Sequence, residues 1–270
     1  MKAIVSVLFL FAIVFAAAGC ETNPATGKRQ LSLISEQQEI SLGRQAMPDV
    51  EKQVGGVYDN AEVADYVNQI GQALAAVSER PNLPWTFKVV NSDDVNAFSM
   101  PGGFIYVNKG LLKQMENEAQ LACVLGHEIG HVTARHGVDQ LQKSLGMQVL
   151  LEAIGVGTGS PDAKAVAQVA AQLVMLKYSR DDEYMADELG VRYAVKANYN
   201  PDGIIQVFNI FLKLGGSSGG LGELFSTHPD TVKRIDNVKK ILNEKYAGVT
   251  EDPNMNFNET EYKIAVSAIQ

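Results

Sequence analysis

Between Asn117 and Val132 the apolar positions Ala119, Leu121, Ala122, Val124, Leu125, Ile129 and Val132 recur at helical spacing and predict a strongly apolar helix. Similar periodicity predicts helices over 61–77, 138–154, 163–176, 181–196 and 201–214, and Ser35-Glu36-Gln37-Gln38 opens an earlier one as a capping-box-like start. Two aromatic and β-branched runs, 83–90 and 104–107, read instead as strands. Between them Pro101-Gly102-Gly103 enforces a turn and permits close backbone approach. The pattern is that of an α+β chain, mainly α-helical, with a small sheet.

Punctuation divides the rest. Residues 155–161 form a flexible connector between two helices, and 214–222, with five glycines and two serines, is a mobile loop able to gate a neighbouring site. A final helix follows His228-Pro229. Residues 247–270 form a polar, Asn-rich tail expected to wrap the surface or pair as an edge strand. Internal repeats and heptads are missing, which sets aside a repeat-based interaction domain.

The N-terminus changes the picture of where the chain works. Met1-Lys2 precede an apolar run over 3–18 that ends in Ala17-Ala18-Gly19-Cys20, a secretion signal. Small residues before Cys20 and the polar Glu21-Thr22-Asn23-Pro24 after it resemble a bacterial lipoprotein signal, with Ala17 where leucine is usual. Cys20 then carries the lipid anchor, 1–20 is the signal, 21–34 a tether, and the location is a bacterial periplasm at a membrane. An ordinary cleaved signal and an uncleaved anchor are the alternatives, the second weakened because the run is short of the ~20 residues a spanning helix needs.

With 270 residues and 46% of them apolar, the chain can bury a substantial core over 35–246, so disorder as a whole is excluded. A net charge of −8 without a local Lys/Arg cluster argues against a nucleic-acid partner. If Cys20 is acylated, Cys123 alone remains and no internal disulfide forms. Cys123 reads as a core residue, with a soft metal ligand as the lesser alternative.

The apolar helix carries His127-Glu128-Ile129-Gly130-His131. Histidines four apart share one helical face and can grip one ion. By chance this pattern arises in on the order of one per cent of chains this long, so its context decides. A catalytic zinc takes three protein ligands and a water whose pKa it lowers toward ~7. Glu183 and Asp187, four apart on the 181–196 helix, supply the third ligand and a carboxylate that orients a histidine's other nitrogen. Glu128 is positioned as the general base. Asp181 and Asp182 read as an acidic helix start favoured by the helix dipole. His136 is set aside as a ligand: Ala134 replaces the glycine of the HExxHxxGxxH pattern, the histidine falls one residue early, and five residues past His131 it is rotated off the face. His228 and Arg234 have three readings: stabilising and positioning a developing oxyanion, His228 closing the ion's open position, or a plain helix start.

In order, 23–43, 96–112, 127–136, 179–190 and 226–235 resemble the CaaX-prenyl-protease and HtpX-like family of zinc metallopeptidases, most of all its bacterial periplasmic, BepA-like branch. The resemblance implies a gluzincin fold with a small edge sheet beside the HExxH helix. It implies one zinc ion on His127, His131 and Glu183, Glu128 as base, and His228 with Arg234 as an auxiliary pair. Asn96, Ala97 and Phe98 would form the edge strand on which an extended protein or peptide substrate lies. Two departures stand out. Residues 145–176 are broken by Gln148, Glu152, Pro161, Asp162 and Lys164, against membrane spanning, and no helical-repeat domain follows. The activity implied is endoproteolysis of extended or misfolded envelope proteins. The rival classes are a chaperone-like zinc-binding assembly factor and an exopeptidase, and the retained Glu128 favours catalysis over a closed structural site.

Overall fold

The structure, a computed structural model, describes residues 20–269 apart from 24, 26, 28, 32–33, 216–227 and 229. The signal segment before Cys20 and nearly all of the glycine-rich 214–222 loop lie outside the described residues.

The tether is more ordered than expected. Strands β1 (Cys20–Thr22) and β2 (Arg29–Leu31) pair antiparallel, closed by Gly27, whose N–H donates to the Asn23 carbonyl at 2.8 Å. Asn23 is buried, and its Nδ2 donates to the Ala134 carbonyl at 2.9 Å, docking the hairpin beside the end of the HExxH helix. Helix α1 (Glu36–Gln53) starts on the capping box read from sequence, with Ser35 and Gln38 exchanging side-chain to backbone hydrogen bonds.

A three-stranded sheet follows α2 (Ala61–Ala76). Strand β5 (Phe104–Asn108) is central, parallel to β3 (Thr86–Val90) and antiparallel to β4 (Ala97–Met100). Both of its faces are buried, and its side chains divide with period two: Ile105 and Val107 pack with α2 and the HExxH helix, Phe104 and Tyr106 with α1 and the helices over 136–154 and 163–174. The turn before β5 needs glycine twice over, because Gly102 has φ +89° and a Cβ there would sit 2.7 Å from the Ile40 backbone.

After the short α3 (Lys109–Gln114), helix α4 (Glu118–Thr133) carries the HExxH. Every residue of α4 except Val124 is buried, as its apolar pattern requires. Helix α5 (His136–Ile154) starts two residues earlier than expected and kinks at Gly146, and it packs on α6 (Ala163–Val174). Among the described residues no helix is long and apolar enough to cross a membrane. Helix α7 (Arg180–Lys196) crosses α4; α8 (Gly203–Gly215) and α9 (Thr231–Lys245) close around the pair.

Beyond Ala247 the tail does wrap the surface, bridging Tyr199 to Asn256, but it ends in a helix, α10 (Glu259–Val266), rather than an edge strand. Tyr262 and Ala265, three apart, give this segment a buried side. The fold is α+β and mainly helical, with the small sheet beside α4.

Candidate metal centre

Two helices build the centre. On α4, His127 and His131 project side by side, with their Nε2 atoms 3.0 Å apart. On α7, which the Ser179–Asp182 capping box starts three residues earlier, Glu183 brings its carboxylate 3.6 Å from His127 Nε2 and 3.4 Å from His131 Nε2. His228, just before α9, places Nδ1 3.0 Å from Glu183 and Nε2 3.9 Å from Glu128. Ligand atoms of His127, His131, Glu183 and His228 all lie within 4.8 Å of one another, and all four residues are buried.

The arrangement fits a cation. Asp187 Oδ1 lies 3.0 Å from His127 Nδ1, and a carboxylate only accepts, so that nitrogen carries the proton and Nε2 presents a lone pair. His131 Nε2 faces it at contact distance. Separations of 3.0–3.6 Å among three such donors are what ligands ~2.0–2.2 Å from one tetrahedral ion produce. Glu128 Oε2 is buried without a hydrogen-bond partner among the described residues. Imidazole and carboxylate donors together suit zinc.

The surroundings set the charge states. Burial lowers His127 and His131 below the usual imidazole range, with Arg234 adding to the effect on His127. Burial alone would raise Glu183, but His228 and Arg234 outweigh it and hold the carboxyl well below the usual range. Arg234 spends its donors on these acids: Nε and Nη2 on Asp187 at 2.9 and 2.6 Å, and Nη1 beside Glu183 at 2.6 Å.

Two further residues hold His131: His136, set aside as a ligand from the sequence and outside the cluster here, and Tyr178, which the sequence did not single out. His136 Nδ1 lies 2.9 Å from His131 Nδ1, on the nitrogen opposite the presumptive metal face, and burial with His131 nearby pushes its pKa down to about 3. Tyr178 stacks on the His131 ring with centroids 3.9 Å apart. The chain turns back to place His136 because Arg135 adopts φ +62° between α4 and α5, which helical spacing cannot foresee. Tyr178 carried a cue only in preceding the Ser179 cap.

Ala97 is buried and shares a cavity with His127 and Glu128. Asn96 is buried, and Phe98 points to the other face of β4, stacked on Tyr106 at 5.0 Å. Cys123 is a buried free thiol with its pKa pushed up to about 12 by burial, and it lines the cavity rather than joining the metal cluster.

A buried pair of histidines and a glutamate on crossed helices, with a second glutamate beside them, defines a metallopeptidase site. The profile of peptidase family M48 matches residues 61–242, and the chain belongs to that family. It is 32% identical over 229 residues to the mitochondrial metalloendopeptidase OMA1 of Arabidopsis thaliana, covering 84% of this chain and 45% of that protein. It is 26% identical over 238 residues to the beta-barrel assembly-enhancing protease of Escherichia coli (strain K12), covering 84% and 48%. Metalloprotease YcaL of the same organism is 28% identical over 186 residues, covering 66% of this chain and 72% of YcaL. The chain spans about half the length of the first two relatives.

Proposed function

We propose that this protein is an endopeptidase that holds one zinc ion on His127, His131 and Glu183 and cuts extended or misfolded protein segments at the periplasmic face of a bacterial membrane. The observation that carries the reading is Glu128: a buried carboxylate oxygen without a partner among the described residues, on the helix turn between two histidines whose lone pairs converge. Zinc at such a site polarises a carbonyl and lowers the pKa of its water toward ~7. Glu128 takes the proton of the attacking water and returns it to the leaving amine. His228, 3.9 Å from Glu128, donates to the oxygen on which negative charge develops. Arg234 acts through Glu183 and Asp187, fixing their carboxylates. The substrate lies extended along Asn96-Ala97-Phe98, adding a strand to β4, which stands at the edge of the sheet.

Lipid attachment at Cys20 anchors the enzyme, and the name of the E. coli relative supports a role in envelope protein quality control. Replacing Cys20 by alanine is expected to move the protein from the membrane to the soluble fraction; continued sedimentation with membranes would remove the anchor from this reading.

The decisive comparison uses an unfolded protein as substrate. Glu128→Gln is expected to keep stoichiometric zinc and lose at least ~100-fold in cleavage, whereas Glu183→Ala loses the metal. Full zinc retention by Glu183→Ala would refute the ligand assignment. Because His228 belongs to the same 4.8 Å cluster, a latent state with His228 as fourth ligand is the second reading, and a gain of activity in His228→Ala would select it.

A further inference from the structure

Apart from the metal centre, the chain buries a second cluster of charged side chains, built on Glu39 of α1. Glu39 Oε1 accepts from Arg80 Nη1 at 3.0 Å and from the Gly102 N–H at 3.2 Å. Its Oε2 accepts from Arg80 Nη2 at 2.9 Å and lies 3.1 Å from Arg135 Nε. Arg80 Nη1 also donates to the Val132 carbonyl at 3.0 Å, and Arg135 Nη2 to the Ile34 carbonyl. Glu36, 3.1 Å from Arg80, sets a second carboxylate against the two guanidiniums.

Gross stability does not account for this arrangement. Desolvation of buried ions offsets most of their attraction, and apolar side chains of similar volume often hold such a place as firmly. What a carboxylate with fixed hydrogen bonds supplies is geometry, and the groups that Glu39 holds are close to the chemistry. Gly102 lies in the turn between β4 and β5, just beyond the last β4 pair, Met100 with Phe104. Val132 follows His131 on α4, and Arg135, at φ +62°, sets His136 against the His131 ring. One side chain thereby ties the end of the candidate substrate strand to the last turn of the helix that carries the histidines.

We infer that Glu39 is a positioning residue for peptide hydrolysis: through Gly102 and Arg80 it keeps β4 in register with His131, so that the carbonyl of a peptide lying along β4 falls at the metal-facing side of α4. Glu39 itself touches none of the four clustered residues. The inference rests on the reading of Asn96 to Phe98 as the substrate strand, and it makes the loss on removing Glu39 depend on substrate length. A long peptide has its carbonyl placed by β4, and a misplacement of about 1 Å costs on the order of 100-fold. A peptide too short to pair along the strand settles at the metal without that guidance.

The test uses the zinc-loaded protein and a nested series of blocked peptides, from four residues to roughly ten, the length of a long strand, around one bond that the wild type cuts in casein. For the wild type, kcat/KM should rise with length. Glu39→Gln should lose about tenfold or more on the longest peptide, in kcat with KM within about twofold, and at most about twofold on the shortest. Arg80→Lys, which keeps the cation but not the fork that reaches both Glu39 and the Val132 carbonyl, should show the same split and serves if Glu39→Gln does not fold. Zinc content, measured on every sample, should stay stoichiometric. Equal losses at every length, or a fall in zinc content that parallels the loss of activity, overturn the positioning role, since a merely structural defect lowers the active fraction for all substrates alike. A wild type indifferent to length would instead overturn the strand reading on which the inference rests.

Discussion

His131 is held from three sides, and each restraint has a distinct physical origin. Its Nε2 turns toward His127 and Glu183, its Nδ1 meets His136, and its ring lies flat on Tyr178. For Nε2 to offer a lone pair, Nδ1 must carry the proton, so the neutral His136 accepts it and fixes the ring's orientation. His136→Ala is therefore expected to weaken zinc binding about 10- to 100-fold, as loss of such outer partners does, measured by competition with a chromogenic chelator. Unchanged affinity would mean that stacking on Tyr178 suffices. The candidate ligands His127, His131 and Glu183 were legible because HExxH and ExxxD are short-range patterns on single helices. The contact of His136 with His131 was not, because spacing along an ideal helix turns His136 off that face, whereas Arg135 at φ +62° redirects the chain.

At the scale of elements, the metal site depends on how closely α4 and α7 approach. Glycine costs a helix about 1 kcal/mol relative to alanine, so three at one crossing call for a packing reason. Here Gly126 and Gly130 face α7 and Gly190 faces α4: a Cβ on Gly190 would lie 2.9 Å from the His127 backbone nitrogen, and one on Gly130 3.1 Å from the Ala186 backbone. The gap they close is what sets Glu183 within 3.6 Å of the histidines. Gly190→Ala should push the helices apart, costing about 1–3 kcal/mol by overpacking. Thermal unfolding should fall by roughly 5 °C at the scaling for domains of this size, and zinc affinity should drop with it. A normal melting temperature with normal zinc binding would show that the crossing can give without cost.

Across the whole molecule, the C-terminal segment is part of what holds α4 in place. The Phe257 carbonyl accepts from the Glu118 and Ala119 N–H groups at 2.9 and 3.4 Å, partners for donors that a helix start leaves open. Glu118 in turn accepts from the hydroxyls of Tyr66 on α2 and Tyr199 beyond α7. Tyr262 is fully buried, and its hydroxyl donates to the Leu112 carbonyl at 2.7 Å. Tyr262→Ala should cost about 3–5 kcal/mol, the usual range for removing a large aromatic from a core, and lower the melting temperature by on the order of 10 °C. A shift within a degree or two in calorimetry would show the segment to be dispensable. From sequence this stretch read as a polar tail, because its apolar residues Tyr262, Ile264, Ala265 and Val266 do not form a clear helical stripe; the surface that Tyr262 and Ala265 bury against belongs to α2 and α4, distant in the chain.

By itself, then, the sequence determined the helical periodicity, the cap at Ser35, the turn at Pro101-Gly102-Gly103 and the order of the candidate metal-binding motifs. Each depends on residues a few positions apart, within reach of local sterics and hydrogen bonding. Only the tertiary structure decided that Glu183 meets the histidines across a glycine crossing, that His136 and Tyr178 hold His131, that the tail caps the HExxH helix, and that α8 leaves an apolar cavity beside Glu128. Apart from His136, five residues from His131 and placed by the left-handed Arg135, these are contacts between segments tens to hundreds of residues apart, set by which surfaces exclude water together, and no local pattern encodes them.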